Sequence, residues 1–135
     1  MVADACAGLI ESGARQISLA DTVGLATPER IAETLTAMLT AQEGIEIGAH
    51  LHARPQDARA RIRAAYDAGC RRFDAALGGL GGCPFAQDAL VGNLATETLI
   101  AELEELGAET PTLGPLDDLI QASARIGMDF CATAG

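Results

Sequence analysis

A chain of 135 residues, 49% hydrophobic and 21% charged, suits one soluble globular domain and leaves no room for two full-size ones. Nineteen acids against nine arginines, with no lysine and a net charge of −10, argue against a nucleic-acid module, whose affinity comes mostly from basic side chains meeting phosphates. No apolar run reaches the ~18 residues of a membrane span, and the opening stretch lacks the basic region of a secretory signal, so the expected location is cytoplasmic. The first helix is predicted over Val2 to Glu11, closed by Ser12-Gly13. A strand over Gln16 to Ala20 follows and ends at Asp21. The next helix starts at Thr27-Pro28-Glu29, with Thr27 as N-cap and Pro28 in the first helical position. Its Ile31, Leu35, Met38 and Leu39 recur at helical spacing, and Gly44 ends it. The second strand runs from Ile45 to His52. Pro55 opens a third helix, through Ile62 and Tyr66 to Gly69, and a third strand is predicted over about Cys70 to Leu77.

The helix-ending glycines at 13, 44 and 69 are 31 and 25 residues apart, the length of a βα unit. Strands alternating with helices predict an α/β fold with parallel strands. From Ala95 the pattern reads as two helices, around Leu99–Leu106 and Leu116–Ile126, separated by Pro111 and Gly114-Pro115. Seven acids and no base between Glu97 and Asp118 read as a solvated helix surface. In the second strand, Ile45, Ile47, Ala49 and Leu51 share one face, to pack under helices. Glu46, Gly48, His50 and His52 share the other, facing inward or toward a cleft. Two-sided parallel sheets are normally apolar on both faces. A (β/α)8 barrel relaxes this near its C-terminal mouth.

Both histidines of the chain sit in Ala49-His50-Leu51-His52. Side chains two apart on a strand project together, so they are either a metal pair or two polar residues lining a barrel mouth. Asp21 holds the equivalent place on the first strand, as a cleft residue or as a turn residue. Arg72 and Asp74 share a face of the third strand and read as a structural ion pair. Gly78-Gly79-Leu80-Gly81-Gly82-Cys83-Pro84 has four glycines in five positions, a loop open to backbone angles closed to other residues. It lacks the signatures of a P-loop or a dinucleotide fingerprint. A lid carrying Cys83 over a cleft fits it better, the alternative being a small buried thiol in a turn. Asn93 precedes a helix and is either an N-cap or an oxygen ligand. Imidazoles with an amide oxygen suit Mg²⁺ or Mn²⁺. Arg54, Arg59, Arg61, Arg63, Arg71 and Arg72 are mostly expected on a solvated helix face, with Arg54 the one placed to meet a carboxylate or phosphate. The four cysteines, Cys6, Cys70, Cys83 and Cys131, have no close-paired spacing and read as free thiols.

Ile17-Ser-Leu-Ala-Asp-Thr-Val-Gly24, His50-Leu-His52, Gly78-Gly-Leu-Gly-Gly-Cys-Pro-Phe85 and Gly92-Asn-Leu-Ala-Thr-Glu97 together resemble hydroxymethylglutaryl-CoA lyase, from about Ala3 to about Gly127. The resemblance implies that residues 1–135 are the C-terminal part of a TIM (β/α)8 barrel, about three parallel strands with their helices, plus C-terminal helices. It implies cleavage of 3-hydroxy-3-methylglutaryl-CoA to acetyl-CoA and acetoacetate. By the same resemblance His50, His52 and Asn93 bind a divalent cation (Mg²⁺ or Mn²⁺), and Cys83 and Asp21 are catalytic. Gly81, Gly82 and, from its place at the strand end, Arg54 are expected to line the acyl-CoA substrate. The family's Asp-Arg-Glu motif, which supplies a metal-binding aspartate and an enolate-stabilising arginine, has no counterpart in these residues. The expectation is therefore little or no lyase activity from this stretch alone, and pairing with an N-terminal half or with itself. Two further readings stand beside the lyase: half of a related metal-dependent aldolase or acyltransferase, and a non-catalytic half-barrel assembly module.

Overall fold

The computed structural model describes residues 1–42, 44–82 and 91–131. Its elements are α1 (Val2–Glu11), β1 (Gln16–Asp21), α2 (Pro28–Ala41), β2 (Glu46–Ala53), α3 (Pro55–Asp67), β3 (Arg72–Asp74), a 3₁₀ turn (Leu77–Gly79), β4 (Gly92–Asn93), α4 (Thr96–Glu105) and α5 (Asp117–Cys131). α2 begins as its sequence predicts: Pro28 opens it, and the Thr27 hydroxyl accepts from the Arg30 amide at 3.3 Å. α3 ends in a backbone closure across Gly69 at φ 100°, where the Cys70 amide donates to the Ala65 carbonyl. Glycine enters that left-handed conformation without a Cβ clash.

β2 is the centre of the sheet. β1 and β3 flank it in parallel, with Ser18 opposite Gly48, Ala20 opposite His50, Gly48 opposite Arg72 and His50 opposite Asp74. One face of the sheet carries Ile17, Ile47, Ala49, Leu51 and Ala53, all buried. Against it lie Ile31, Leu35 and Met38 of α2, and Ala58, Ile62 and Ala65 of α3. The small alanines let α3 sit close to the strands, consistent with a core short of aromatics. The opposite face is the polar one.

Three expectations change. The third strand is shorter than Cys70–Leu77, because Cys70 is used in closing α3 and the chain turns into the 3₁₀ segment at Leu77. A fourth strand, β4, pairs antiparallel with the end of β2, His52 opposite Asn93 and Ala53 opposite Gly92. Two residues are too few for a sequence pattern to reveal. The acidic stretch is not uniformly solvated: Glu102 is 0% exposed, held by Arg59 at 3.0 Å and by Arg63 where α4 packs on α3. No helix among the described residues is long and apolar enough to cross a membrane.

Candidate metal and acyl-CoA site

Both histidines lie on β2, at the C-terminal end of the sheet. His50 and His52 lie with ring centroids 5.0 Å apart, edge to face. His50 is half-buried, and its Nδ1 is 3.4 Å from Asp74 Oδ2 on the neighbouring strand. Asp74 in turn accepts from the Ser18 hydroxyl at 2.8 Å, with the Arg72 guanidinium 3.8 Å away. The expected Arg72–Asp74 pair is thus present but loose, and the shorter contacts of Asp74 are to β1 and to the histidine. His52 is buried, and its Nδ1 lies 3.2 Å from the Asp21 carbonyl. Each ring therefore has an acceptor behind Nδ1. An oxygen behind Nδ1 favours the tautomer with its proton on Nδ1, in which Nε2 carries the lone pair a cation needs.

Asn93 arrives opposite His52 through β4. Its side-chain NH₂ donates to the Leu80 carbonyl at 2.9 Å, so its oxygen is the end left to act as acceptor or ligand. The first half of the glycine loop is packed against β4. A Cβ on Gly79 would stand 2.9 Å from the Asn93 carbonyl oxygen, and one on Gly92 would stand 2.8 Å from that of Gly79. A Cβ on Gly81 would stand 3.1 Å from the Asn93 side-chain nitrogen, and one on Gly82 would stand 3.1 Å from the Val91 carbonyl oxygen. Gly79, Gly82 and Gly92 thus hold loop and strand at backbone contact. Cys83 lies outside the described residues.

Asp21 sits at the end of β1, on the face shared with Ile17 and Leu19. Its carboxylate accepts from the Leu25 and Ala26 amides at 3.0 Å each, and Arg61 donates to Oδ2 at 2.9 Å. The side chain thus organises the β1–α2 turn while its carbonyl faces the His52 ring. Arg61 corrects the expectation of a solvated arginine cluster, since it is only 9% exposed. Arg59 and Arg63 share one side of α3, whereas Ala58, Arg61, Ile62 and Ala65 form its buried stripe. Sequence reasoning missed this, although the i, i+3, i+4, i+7 spacing was legible. The Asp74 contact to His50 depends on strand register and had no signal in the chain. Arg54 is the N-cap residue of α3, two residues beyond His52.

Among the described residues no three His, Cys, Asp or Glu side chains cluster closely enough to hold an ion. The donor set at hand is two imidazoles and an amide oxygen, which accommodates a divalent cation without demanding a soft one. Elsewhere, burial pushes the Cys70 thiol up from its ordinary range, and the thiol donates to the Arg72 carbonyl at 3.1 Å.

Parallel strands, helices packed on one sheet face, and polar side chains gathered at the C-terminal strand ends are the architecture of a (β/α)8-barrel enzyme. The chain belongs to the HMGL-like family, whose model matches residues 1–126. It is 43% identical over 130 residues to (R)-citramalyl-CoA lyase of Chloroflexus aurantiacus, covering 93% of this chain and 40% of that protein. It is 38% identical over 125 residues to the mitochondrial hydroxymethylglutaryl-CoA lyase of Bos taurus, covering 93% and 38%. An HMG-CoA lyase from Acinetobacter baumannii, solved with coenzyme A and 3-methylmalate, superposes with a TM-score of 0.74 at 40% identity, over 90% of this chain and 39% of that one. The chain thus spans about two fifths of the length of these relatives, and its sheet is part of a barrel.

Proposed function

We propose that residues 1–135 form the C-terminal part of a barrel domain that cleaves 3-hydroxy-3-methylglutaryl-CoA to acetyl-CoA and acetoacetate. The observation that carries this reading is the meeting of His50, His52 and Asn93 at the strand ends, with an acceptor behind each histidine Nδ1. Family membership supports it. His50 Nε2, His52 Nε2 and the Asn93 oxygen would hold a divalent cation, Mg²⁺ or Mn²⁺, which would supply Lewis-acid polarisation of the substrate hydroxyl. Asp74 and the Asp21 carbonyl keep the rings in their ligand tautomers. Arg54 takes the substrate's carboxylate or a coenzyme A phosphate, and the backbone of Gly81 and Gly82 lines the acyl chain. The tertiary hydroxyl would give its proton to solvent and become the ketone of acetoacetate as the C2–C3 bond breaks, the electron pair of that bond would pass to the acetyl-CoA enolate, and Cys83 would donate a proton to that carbon. Asp21 acts through the turn and the ring it positions.

The 43% identity to (R)-citramalyl-CoA lyase favours a second substrate of the same class, whose cleavage at the equivalent bond releases a 2-oxo acid in place of acetoacetate. The test is Mn²⁺ binding, followed by electron paramagnetic resonance, together with cleavage of both acyl-CoA esters by the polypeptide that carries these residues. His50→Ala, His52→Ala and Asn93→Ala are each expected to weaken Mn²⁺ by at least about tenfold. A protein that binds no Mn²⁺ and cleaves neither ester would instead support the assembly-module reading.

A further inference from the structure

We propose that Arg61 is a positioning residue that fixes the tautomer and orientation of His52. Only its functional consequence rests on the reading of His52 as a metal ligand. One guanidinium, buried on the helix-facing side of the sheet, joins three parts of the strand end. Its Nη1 donates to Asp21 Oδ2 and to the His52 carbonyl, at 2.9 Å each, and its Nη2 donates to the Gly24 carbonyl at 2.7 Å. The Asp21 carbonyl then faces His52 Nδ1 at 3.2 Å. The result is a closed circuit. His52 is tied to Asp21 through its ring, and to the Asp21 carboxylate through its own main chain and Arg61.

α3 does not need Arg61 to hold it on the sheet, because Ala58, Ile62 and Ala65 already do so. All three acceptors of the guanidinium belong to the end of β1, its turn and the end of β2. A planar fork with five N–H groups can serve three acceptors at once, whereas the single ammonium of a lysine cannot hold the same geometry. The turn is shaped for this contact. Gly24 has φ 64°, and a Cβ there would stand 3.0 Å from the His52 carbonyl oxygen. The Asp21 carbonyl is held by the sheet, where Asp21 pairs with Leu51, and by the turn, where the Gly24 amide donates to it at 3.2 Å. Without the guanidinium that turn loses its bonds at Asp21 Oδ2 and at the Gly24 carbonyl, and the Asp21 carbonyl shifts from His52 Nδ1. The imidazole then samples the Nε2–H tautomer, which cannot ligate through Nε2.

The experiment compares wild type with Arg61→Lys and Arg61→Gln. The histidine tautomers are read from two-bond proton–nitrogen correlations on ¹⁵N-histidine-labelled chain at pH 8 without metal, and Mn²⁺ affinity is read by paramagnetic resonance. Arg61→Lys retains the charge beside Asp21 and so the fold. The expected result is a single Nδ1–H tautomer for His52 in wild type, mixed tautomers in both variants, and an Mn²⁺ affinity at least about tenfold lower. His50, which faces Asp74, is the internal control and keeps its tautomer. An unchanged His52 spectrum, equal changes at both histidines, or a failure of both variants to fold overturns the proposal. A wild type that shows the His52 tautomer but binds no Mn²⁺ refutes the metal reading and leaves the positioning role standing.

Discussion

Glu102 offers a test of what holds α4 to α3. Its carboxylate is 0% exposed, while the side chains of Arg59 and Arg63 are 53% and 49% exposed. Arg59 also reaches Glu105 at 2.9 Å, and Arg63 reaches it at 3.8 Å. Replacing Glu102 by Met therefore strands no charge, because both arginines retain Glu105 and water. It also removes the desolvation cost of a buried carboxylate, several kcal/mol, which a buried ion pair recovers only in part. Met fills nearly the same volume in the stripe that contains Leu99. Glu102→Met is expected to leave stability within about 1 kcal/mol of wild type, or to raise it. Glu102→Ala removes the same charge but leaves a void, and should cost about 2 kcal/mol or more. Urea denaturation followed by circular dichroism reads both as midpoint shifts at constant slope. If the Met variant loses as much as the Ala variant, charge rather than volume holds the contact and the reasoning fails. The double substitution Arg59→Met with Arg63→Met seals the carboxylate with no cation, and should shift the midpoint further down than either Glu102 change.

Gly92→Ala drives a Cβ to within 2.8 Å of the Gly79 carbonyl oxygen, where neither backbone can yield, and overpacking of this kind costs about 1–3 kcal/mol. Thermal unfolding should show that loss, and Mn²⁺ affinity should fall with it as Asn93 leaves its place opposite His52. Arg59, by hydrogen bond and by charge, holds the Glu105 carboxyl below its ordinary value of 4.5. A depressed carboxylate stabilises the fold above its unfolded value and loses that contribution as pH falls through its folded one. A pH titration of stability should therefore drop below about pH 4.5, with a smaller drop in Glu105→Gln or in high salt. Cys70 is buried and its thiol is pushed up, so an aromatic disulfide reagent at pH 8 should modify it only after denaturant is added.

Much of the fold is legible along the chain because βα units carry local signals. Proline at helix starts, glycine after helix ends and period-two alternation in β2 place α1, β1, α2, β2 and α3 within a residue or three of where they lie. The meeting of His50 and His52 also follows from sequence, since neighbours two apart on a strand must share a face. Two errors had a visible cause. Arg61 stands in the stripe Ala58-Arg61-Ile62-Ala65, and Glu102 stands between Leu99 and Leu106 at the same helical spacing. A charge inside an apolar stripe is a buried, partnered charge, and composition outweighed position in reading both.

What the 135 residues determined by themselves is which elements form, which face of each is apolar, and which residue types reach the mouth of the sheet. Tertiary structure decided the partners. Asp74 lies behind His50 because β3 pairs with β2 in one register and no other. Asn93 faces His52 because a two-residue strand returns antiparallel where the parallel ladder ends. Arg61 reaches Asp21 because α3 crosses back over the strand end that precedes it by 40 positions. Local pattern sets the conformation of a segment through bonds and sterics a few residues long. The atoms that complete a site are set by contacts between segments, and those exist only once the strands have paired and the helices have packed on them.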